Sequence, residues 1–184
     1  MSTELHWRKL SSEYLVKDEW ATLRVDSCRM PNGKIIEPYY VLEYPNWVNA
    51  VALTEDNEVI MVRQYRHGAE QTMLEIVGGV IDATDSSPEE TARRELLEET
   101  GYEFTSIEPT VTLYPNPSTS SNKVYSFLAR GGKKVQGQVL DHSEEILVEL
   151  ISLDELKKLL LDNKIPQAMH ASAIFYALLK LGKL

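Results

Sequence analysis

The distribution of hydrophobic and polar positions predicts a chain that begins with strands. Loose alternation over Glu13–Met30 indicates extended structure, and Pro31–Gly33 is a hairpin signal before a second apolar stretch at Lys34–Tyr44. Two further apolar runs, Trp47–Thr54 and Val59–Arg66, flank a polar turn and predict another hairpin. The first part of the chain is therefore expected to be β-structure, with an N-terminal antiparallel segment.

A helix start follows. Ser87 is a good N-cap, Pro88 suits the first helical position, and Glu90 is placed as a capping-box partner. Gly101 is placed to end the helix. These positions predict one short helix between the two halves of the chain.

The last third of the chain predicts a mixture of elements. A strand, a Pro/Ser-rich loop and a returning strand precede another short strand, and two amphipathic helices, Asp154–Asn163 and Gln167–Leu181, follow on either side of Pro166. Strands and helices in this order favour an α+β fold, in which helices pack against a mixed sheet.

Composition restricts the partners. The 184 residues carry a net charge of −9, so no basic field recruits nucleic acid or an anionic membrane. Cys28 is the single cysteine, and the longest clean apolar run, Ala173–Leu179, is too short to span a bilayer. The N-terminal residues show no apolar signal core, and a cytoplasmic protein is expected.

Three glutamates in the predicted helix, Glu95, Glu98 and Glu99, fall on one face. Like charges at this spacing destabilise a helix, and one interpretation is a solvated acidic face. The alternative is a metal site, because paired glycines precede the helix and Arg94 is placed to orient Glu98. Hard cations such as Mg²⁺ take carboxylate ligands and bridge them to substrate phosphates. We favour the metal site.

The stretch GGVIDATDSSPEETARRELLEETGY, Gly78–Tyr102, resembles the Nudix box of the Nudix hydrolases, G-x5-E-x7-R-E-U-x-E-E-x-G-U with U a bulky apolar residue. The second half of the box matches at every fixed position. In the first half, Asp85 stands where the family has Glu, and eight residues instead of seven separate it from Arg94. The extra residue falls before Ser87, in the loop, so the resemblance implies an intact metal-binding helix.

Flanking segments resemble the ADP-ribose pyrophosphatase branch of this family. They are VRQYRHG and LEIVGG before and within the box, and YPNPSTSSNKVYSFLAR after it, where Pro117 matches the branch's marker proline. The resemblance implies a Nudix-type mixed β-sheet sandwiched by helices over residues 46–184. It also implies that residues 1–45 are strands used in dimerisation. A homodimer is expected as well because these strands hold more aromatic surface than a hairpin buries, in Tyr14, Trp20, Tyr39 and Tyr40.

The resemblance also implies roles at the site. Metal ligands are expected from Glu95, Glu98 and Glu99, with a backbone carbonyl near Gly78. A further acid from a later loop serves as ligand or general base, and Glu144 is preferred to Glu145 because a strand beginning at Glu145 leaves Glu144 freer to turn inward. The catalytic residues are then Glu98, Glu99 and Glu144, and the cofactor is Mg²⁺, with Mn²⁺ as a substitute.

Substrate contacts are expected around the same helix. Arg66 matches the branch's arginine position and ranks above Arg63, for which a solubilising role at a strand edge is equally open. Glu75 occupies the branch's LE position, where a substrate or supporting role is implied. Trp47 and Tyr65 are candidates for stacking on adenine, and for Tyr65 packing in the core is preferred.

The predicted function is Mg²⁺-dependent hydrolysis of the diphosphate bond of ADP-ribose or a related nucleoside diphosphate sugar. The products would be a nucleoside monophosphate and a sugar phosphate. GDP-mannose or another nucleotide sugar is the alternative substrate. A non-catalytic nucleotide-sensing module is the alternative of a different class, and the intact RELLEE sequence argues against it.

Overall fold

The computed structural model describes residues 5–18 and 21–184. Trp20, one of the aromatic residues expected at a dimer interface, lies outside these ranges. The chain divides into two compact units, one formed by residues up to Pro45 with Tyr114–Asn122, the other by Asn46–Leu113 with Lys123–Leu184. The expected boundary near residue 45 remains a prediction, and the structure groups the Pro/Ser-rich loop with the first unit.

The first unit is an antiparallel sheet. Its described strands, in the spatial order β1-β2-β3, are β1 (Arg8–Lys17), β2 (Thr22–Arg29) and β3 (Ile35–Leu42). The turn between β2 and β3 places Gly33 at φ +86°, a left-handed conformation that glycine adopts without strain. Every residue of β1 is exposed, because this edge strand has a neighbour on one side within the unit. The loop Tyr114–Asn122 joins this unit through a hydrogen bond of 2.7 Å from the Leu42 amide to the Thr119 carbonyl.

The second unit is built on a mixed sheet. Its strands within the described residues are β4 (Trp47–Thr54), β5 (Val59–Arg66), β6 (Gln71–Glu75), β7 (Val77–Val80), β8 (Tyr102–Glu103), β9 (Ser106–Leu113), β10 (Val124–Lys134) and β11 (Leu147–Ile151). The pairing of β10 with β4 is parallel, and the other pairings are antiparallel. The other elements of this part of the described chain are a 3₁₀ helix, His67–Ala69, and three α-helices, α1 (Pro88–Thr100), α2 (Leu153–Leu161) and α3 (Ala168–Lys180).

Hydrophobic clusters lie on both faces of this sheet. On β4, Ala50 and Ala52 belong to a cluster that includes Leu96 of α1, whereas Val51 belongs to a cluster that includes Ile174 of α3. Successive side chains of a strand point to opposite faces, so α1 covers one face and α3 the other. The predicted α+β architecture, a mixed sheet between helices, is confirmed.

One predicted strand differs in detail. The run before α1 was expected to be one strand that ends at the paired glycines, but it forms β6 and β7 on either side of Ile76, and the glycines lie within β7. That interruption lets the chain pair first with β5 and then with β4.

A helix that combines the length and the apolar character of a membrane span is absent from residues 5–18 and 21–184.

Candidate active site

The sequence signals that bound α1 act as expected. The Ser87 hydroxyl accepts a hydrogen bond from the Glu90 amide, Pro88 opens the helix, and Gly101 ends it at φ +78°. The Glu90 carboxylate differs from the capping box, since it accepts the Ser86 amide at 3.0 Å instead of the amide of Ser87. These contacts fix where α1 begins and therefore which of its residues face the sheet.

The glutamates of α1 differ in burial. Glu95 is 9% and Glu99 3% exposed, whereas the Glu98 side chain is 42% exposed. Glu95 lies directly against β7, because a Cβ added at Gly79 would meet its Cδ at 2.1 Å. Glycine at this position is therefore what allows a carboxylate to pack against the strand.

Burial and like charges perturb the two inner glutamates. The pKa of Glu99 is raised to about 9, mainly by desolvation and in addition by the nearby charges of Glu95 and Glu144. Desolvation also raises the pKa of Glu95 to about 7, where Arg94 opposes the effect and Glu98 and Glu144 add to it. The Oε2 atom of Glu99 is buried without a hydrogen-bond partner. Together these features describe two buried carboxyl groups whose negative charge the surrounding groups do not fully balance.

Arg94 is the cation that organises the outer part of the cluster. Its guanidinium contacts Glu98 at 2.9 Å and Glu95 at 3.0 Å, and it reaches the Val80 carbonyl at 3.3 Å. Asp85 completes the set at 3.1 Å, and this hydrogen bond is the main reason that the pKa of Asp85 falls to about 2. Asp85 thus holds Arg94 from the loop in spite of the extra residue.

Glu144 lies in a turn before β11. Its carboxylate accepts the Asp141 amide at 3.0 Å, and its charge acts on both Glu95 and Glu99. This placement supports the preference for Glu144 over Glu145. The expected start of the strand at Glu145 was wrong, because β11 begins at Leu147.

Arg66 and Glu75 form an ion pair beside the cluster. The Arg66 guanidinium contacts the Glu75 carboxylate at 2.6 Å, and the Glu75 side chain is fully buried. Gln64 and Gln167 also donate to Glu75, at 3.4 and 3.2 Å. Arg66 and Glu75 influence the pKa of Glu99 in opposite directions, so the pair lies close to the carboxylate cluster.

A cavity of about 370 Å³ is lined by residues of β4, β5, β7 and β10 and of the start of α3. Arg66 and Trp47 line it, as do Gly78 and Gly79 of β7. The rest of its polar lining is Asn49, Gln167 and His170, which were not predicted from the sequence. The spacing of Gln167 and His170 could have indicated that the two share a site, since residues three apart lie on one face of a helix.

Arg63 and Tyr65 of β5 do not line this cavity. Arg63 is paired with Glu149 on β11, with Nη2 at 3.1 Å from Oε2, and it does not line the cavity. A solubilising charge at a strand edge, the alternative role of Arg63, therefore fits its surroundings better than a phosphate contact does. Tyr65 is 56% exposed, so the expectation that it packs in the core was wrong. Its side chain leaves β5 on the face away from Arg66.

Within the described ranges, no group of three or more His, Cys, Asp or Glu side chains is drawn together as a ready-made metal cage. The carboxylates of α1 are instead spread between Arg94 and the buried face of the helix. Their oxygen atoms still form the hard donor set that Mg²⁺ and similar cations take.

Comparison with known proteins gives two matching family models. The NUDIX domain family matches residues 44–171, and the nucleoside diphosphate sugar hydrolase N-terminal domain matches residues 7–42. The chain is 30% identical over 177 residues to the ADP-ribose pyrophosphatase of Bacillus subtilis (strain 168), covering 96% of this chain and 95% of that protein.

Two further similarities cover nearly the whole chain. The Methanol dehydrogenase activator of Bacillus methanolicus is 28% identical over 170 residues, covering 92% of this chain and 91% of that protein. A crystal structure of an ADP compounds hydrolase superposes with a TM-score of 0.86 at 25% identity and covers all of both chains. The family match spans most of the chain and contains the carboxylate helix, and the chain therefore belongs to the Nudix hydrolase family.

Proposed function

We propose that this Nudix hydrolase cleaves the diphosphate linkage of ADP-ribose or a related nucleoside diphosphate sugar, with Mg²⁺ as its cation. The products are a nucleoside monophosphate and a sugar phosphate. The observation that carries the proposal is the buried pair Glu95 and Glu99, with Glu99 close enough to Arg66 for the charge of the arginine to act on it. Similarity to an ADP-ribose pyrophosphatase over nearly the whole chain supports the choice of substrate.

The carboxylate cluster fits a divalent cation chemically. Glu99 has a buried oxygen without a partner, and its pKa is raised by neighbouring negative charge, which a cation would neutralise. Glu95, Glu98, Glu99 and Glu144, with the Gly78 carbonyl, would hold the ion. A bound Mg²⁺ would lower the pKa of water and stabilise charge on a leaving phosphate.

The remaining residues have distinct tasks in this proposal. Arg94, held by Asp85, keeps Glu98 and Glu95 on the side of the cluster that faces β7. Arg66 supplies positive charge for a substrate phosphate, and the fully buried Glu75 fixes the direction of its guanidinium. Glu144 accepts a proton from the attacking water, since it is an exposed carboxylate next to the buried pair.

The decisive experiment is a product analysis. Incubation of the protein with Mg²⁺ and ADP-ribose is expected to yield AMP and ribose 5-phosphate. In ¹⁸O-labelled water the label should enter one of these monophosphates. Release of inorganic phosphate or pyrophosphate from a nucleoside triphosphate, with ADP-ribose left intact, would place the chain in another branch of the family.

A matched pair of variants on α1 connects this activity to the cluster. Glu99→Gln is expected to lower turnover by several orders of magnitude, because a ligand charge is lost. Glu89→Gln changes an exposed glutamate on the same helix that pairs with Arg93, and turnover should stay within about twofold. A Glu99→Gln variant within tenfold of the wild type would contradict the metal-site assignment.

The same product assay separates the alternatives. GDP-mannose is tested beside ADP-ribose, and the ratio of kcat/KM values identifies the preferred nucleotide sugar. A nucleotide-sensing module is kept as a second candidate because one similar protein is a Methanol dehydrogenase activator. Nucleotide binding without turnover in the presence of Mg²⁺ or Mn²⁺ would favour that second function.

We also infer a cytoplasmic homodimer. Leu10, Tyr14 and Tyr40 are at least 40% exposed on the first sheet, and β1 presents an unpaired edge within that unit. Apolar side chains beside a free strand edge are the kind of surface that a second copy covers. The buried, free Cys28 is compatible with a reducing compartment.

A further inference from the structure

The polar lining of the cavity contains atoms that the protein leaves without partners. Asn49 Oδ1, Gln167 Oε1 and His170 Nδ1 are all buried and make no hydrogen bond. All three residues line the same cavity of about 370 Å³. A buried polar atom without a hydrogen bond destabilises the fold, so three of them around one cavity require a physical reason.

Neighbouring groups fix the character of these atoms. Gln167 donates its amide nitrogen to Glu75 at 3.2 Å, which leaves its carbonyl oxygen as a free acceptor. The amide nitrogen of Asn49 points to the Met169 carbonyl at 3.5 Å, and its oxygen is likewise an acceptor. Both side-chain oxygens can therefore accept a hydrogen bond from a donor in the cavity.

His170 adds a neutral ring. It is 4% exposed, and burial lowers its pKa to about 3, so the imidazole carries no charge at neutral pH. Its Nδ1 atom is 3.9 Å from Glu75 Oε2, beyond hydrogen-bond distance. Apart from Arg66, the polar side chains of the lining are thus neutral acceptors and one neutral imidazole. Phosphate oxygens are acceptors themselves, so they complement Arg66 and not these three side chains.

Hydroxyl groups do complement such a lining, because each can donate to a carboxamide oxygen. We propose that Asn49, Gln167 and His170 form a subsite for the hydroxyl groups of a sugar in the substrate. This subsite rests on the proposed function, since it assumes a nucleoside diphosphate sugar. The terminal torsions of Asn and Gln are broad, so a small rotation turns their oxygens towards a ligand.

The position of the cavity agrees with a sugar that is linked to the cleaved diphosphate. Gln167 of the lining donates to Glu75, and the charge of Glu75 acts on Glu99 of the carboxylate cluster. A sugar in the cavity is consequently next to the carboxylate cluster. In ADP-ribose, that sugar is either the ribose of adenosine or the terminal ribose, and both offer vicinal hydroxyl groups.

The test combines a protein change with a substrate change. Gln167→Met keeps the length of the side chain and removes the amide. KM for ADP-ribose is expected to rise about tenfold with kcat within about twofold, as for the loss of a hydrogen bond in an uncharged pair. For an analogue that lacks the contacted hydroxyl, the wild type and Gln167→Met should have equal KM values. Comparison of 2′-deoxyadenosine diphosphate ribose with ADP-2-deoxyribose identifies which sugar is bound.

Gln64→Met is the matched control. Gln64 also donates to Glu75, at 3.4 Å, but it does not line the cavity. This variant should leave KM within about twofold for all three nucleotides. Equal increases in KM for ADP-ribose and both deoxy analogues, or the same increase with Gln64→Met, would show that Gln167 only supports Glu75 and would overturn the subsite.

Calorimetry with the same three nucleotides, in the presence of Mg²⁺ and at a temperature where turnover is negligible, tests the subsite without catalysis. The dissociation constants should follow the same pattern as KM. Binding with this pattern but without hydrolysis would refute only the proposed reaction. Hydrolysis with no dependence on the sugar hydroxyl groups would refute only the subsite, and no binding would refute both.

Discussion

Glu99 occupies a position that disfavours its own charge. It is 3% exposed, Glu95 and Glu144 add negative charge around it, and one of its oxygens has no partner. The pKa of Glu99 is about 9 as a result, against 4.5 for an unperturbed side chain. In the metal-free protein this glutamate is therefore a source of instability that a divalent cation would remove.

A prediction about pH follows from this shift. Between pH 4.5 and pH 9 the unfolded chain has ionised Glu99 while the folded chain keeps it protonated, so rising pH favours unfolding. Without divalent cations, Glu99→Gln should raise the free energy of unfolding at pH 8 by at least about 1 kcal/mol. At pH 4 both states of the wild type bind the proton, and the gain should be close to zero.

Denaturant unfolding at the two pH values measures this difference, with Glu89→Gln as the control on the same helix. Glu89 lies on the exposed side of α1, so its replacement should change stability equally at both pH values. A stabilisation by Glu99→Gln that does not depend on pH would contradict the origin of the effect in a raised pKa.

At the scale of elements, the site depends on the contact of α1 with β7. The capping residues of α1 were recognisable because Ser, Pro and Gly act through local backbone geometry. The extra loop residue before Ser87 did not displace Arg94 from Asp85, since the loop absorbs it ahead of the helix. The approach of Glu95 to Gly79 could not be predicted, because it depends on how the helix lies on the sheet.

The pair Gly79→Ala and Gly68→Ala tests this contact. A Cβ at Gly79 would lie 2.1 Å from the Glu95 carboxylate carbon, so the side chain of Glu95 must move. We expect kcat/KM to fall at least about 100-fold, with the thermal midpoint lowered by only a few degrees, because the atom displaced is the end of a flexible side chain.

At Gly68 no heavy atom lies within 4 Å of an added Cβ. Gly68→Ala should therefore leave kcat/KM within about twofold of the wild type. Full activity of Gly79→Ala would show that Glu95 does not need its place against β7.

At the scale of the whole molecule, the chain combines two units that differ in how they bury their strands. The second unit has a hydrophobic cluster on each face of its sheet, under α1 and under α3. The first unit has β1 exposed along its whole length. A single copy of the chain thus leaves apolar side chains of the first unit in water, which motivates the proposed dimer.

Sedimentation velocity at micromolar concentration should show a dimer. Leu10→Glu places a charge on β1, where the side chain is 40% exposed, and should shift the protein to a monomer. Leu161→Glu is the matched control at a 66% exposed leucine of α2, and it should leave the dimer intact. A wild type that sediments as a monomer would refute the proposal.

The sequence by itself determined the features that depend on local geometry and on fixed spacing. The limits of α1, the helices around Pro166 and the grouping of Glu95, Glu98 and Glu99 were all predicted from neighbouring residues. Within one helix or one turn, spacing along the chain and distance in space are closely related.

The tertiary structure decided which distant residues meet. It paired Arg66 with Glu75, turned Arg63 towards Glu149, exposed Tyr65, and brought Asn49, Gln167 and His170 to one cavity. Asn49 and His170 lie on β4 and α3, at opposite ends of the unit's sequence, and their polarity alone predicts no common site. Their proximity follows from the packing of α3 against the sheet, since long-range contacts depend on the burial of both hydrophobic faces together.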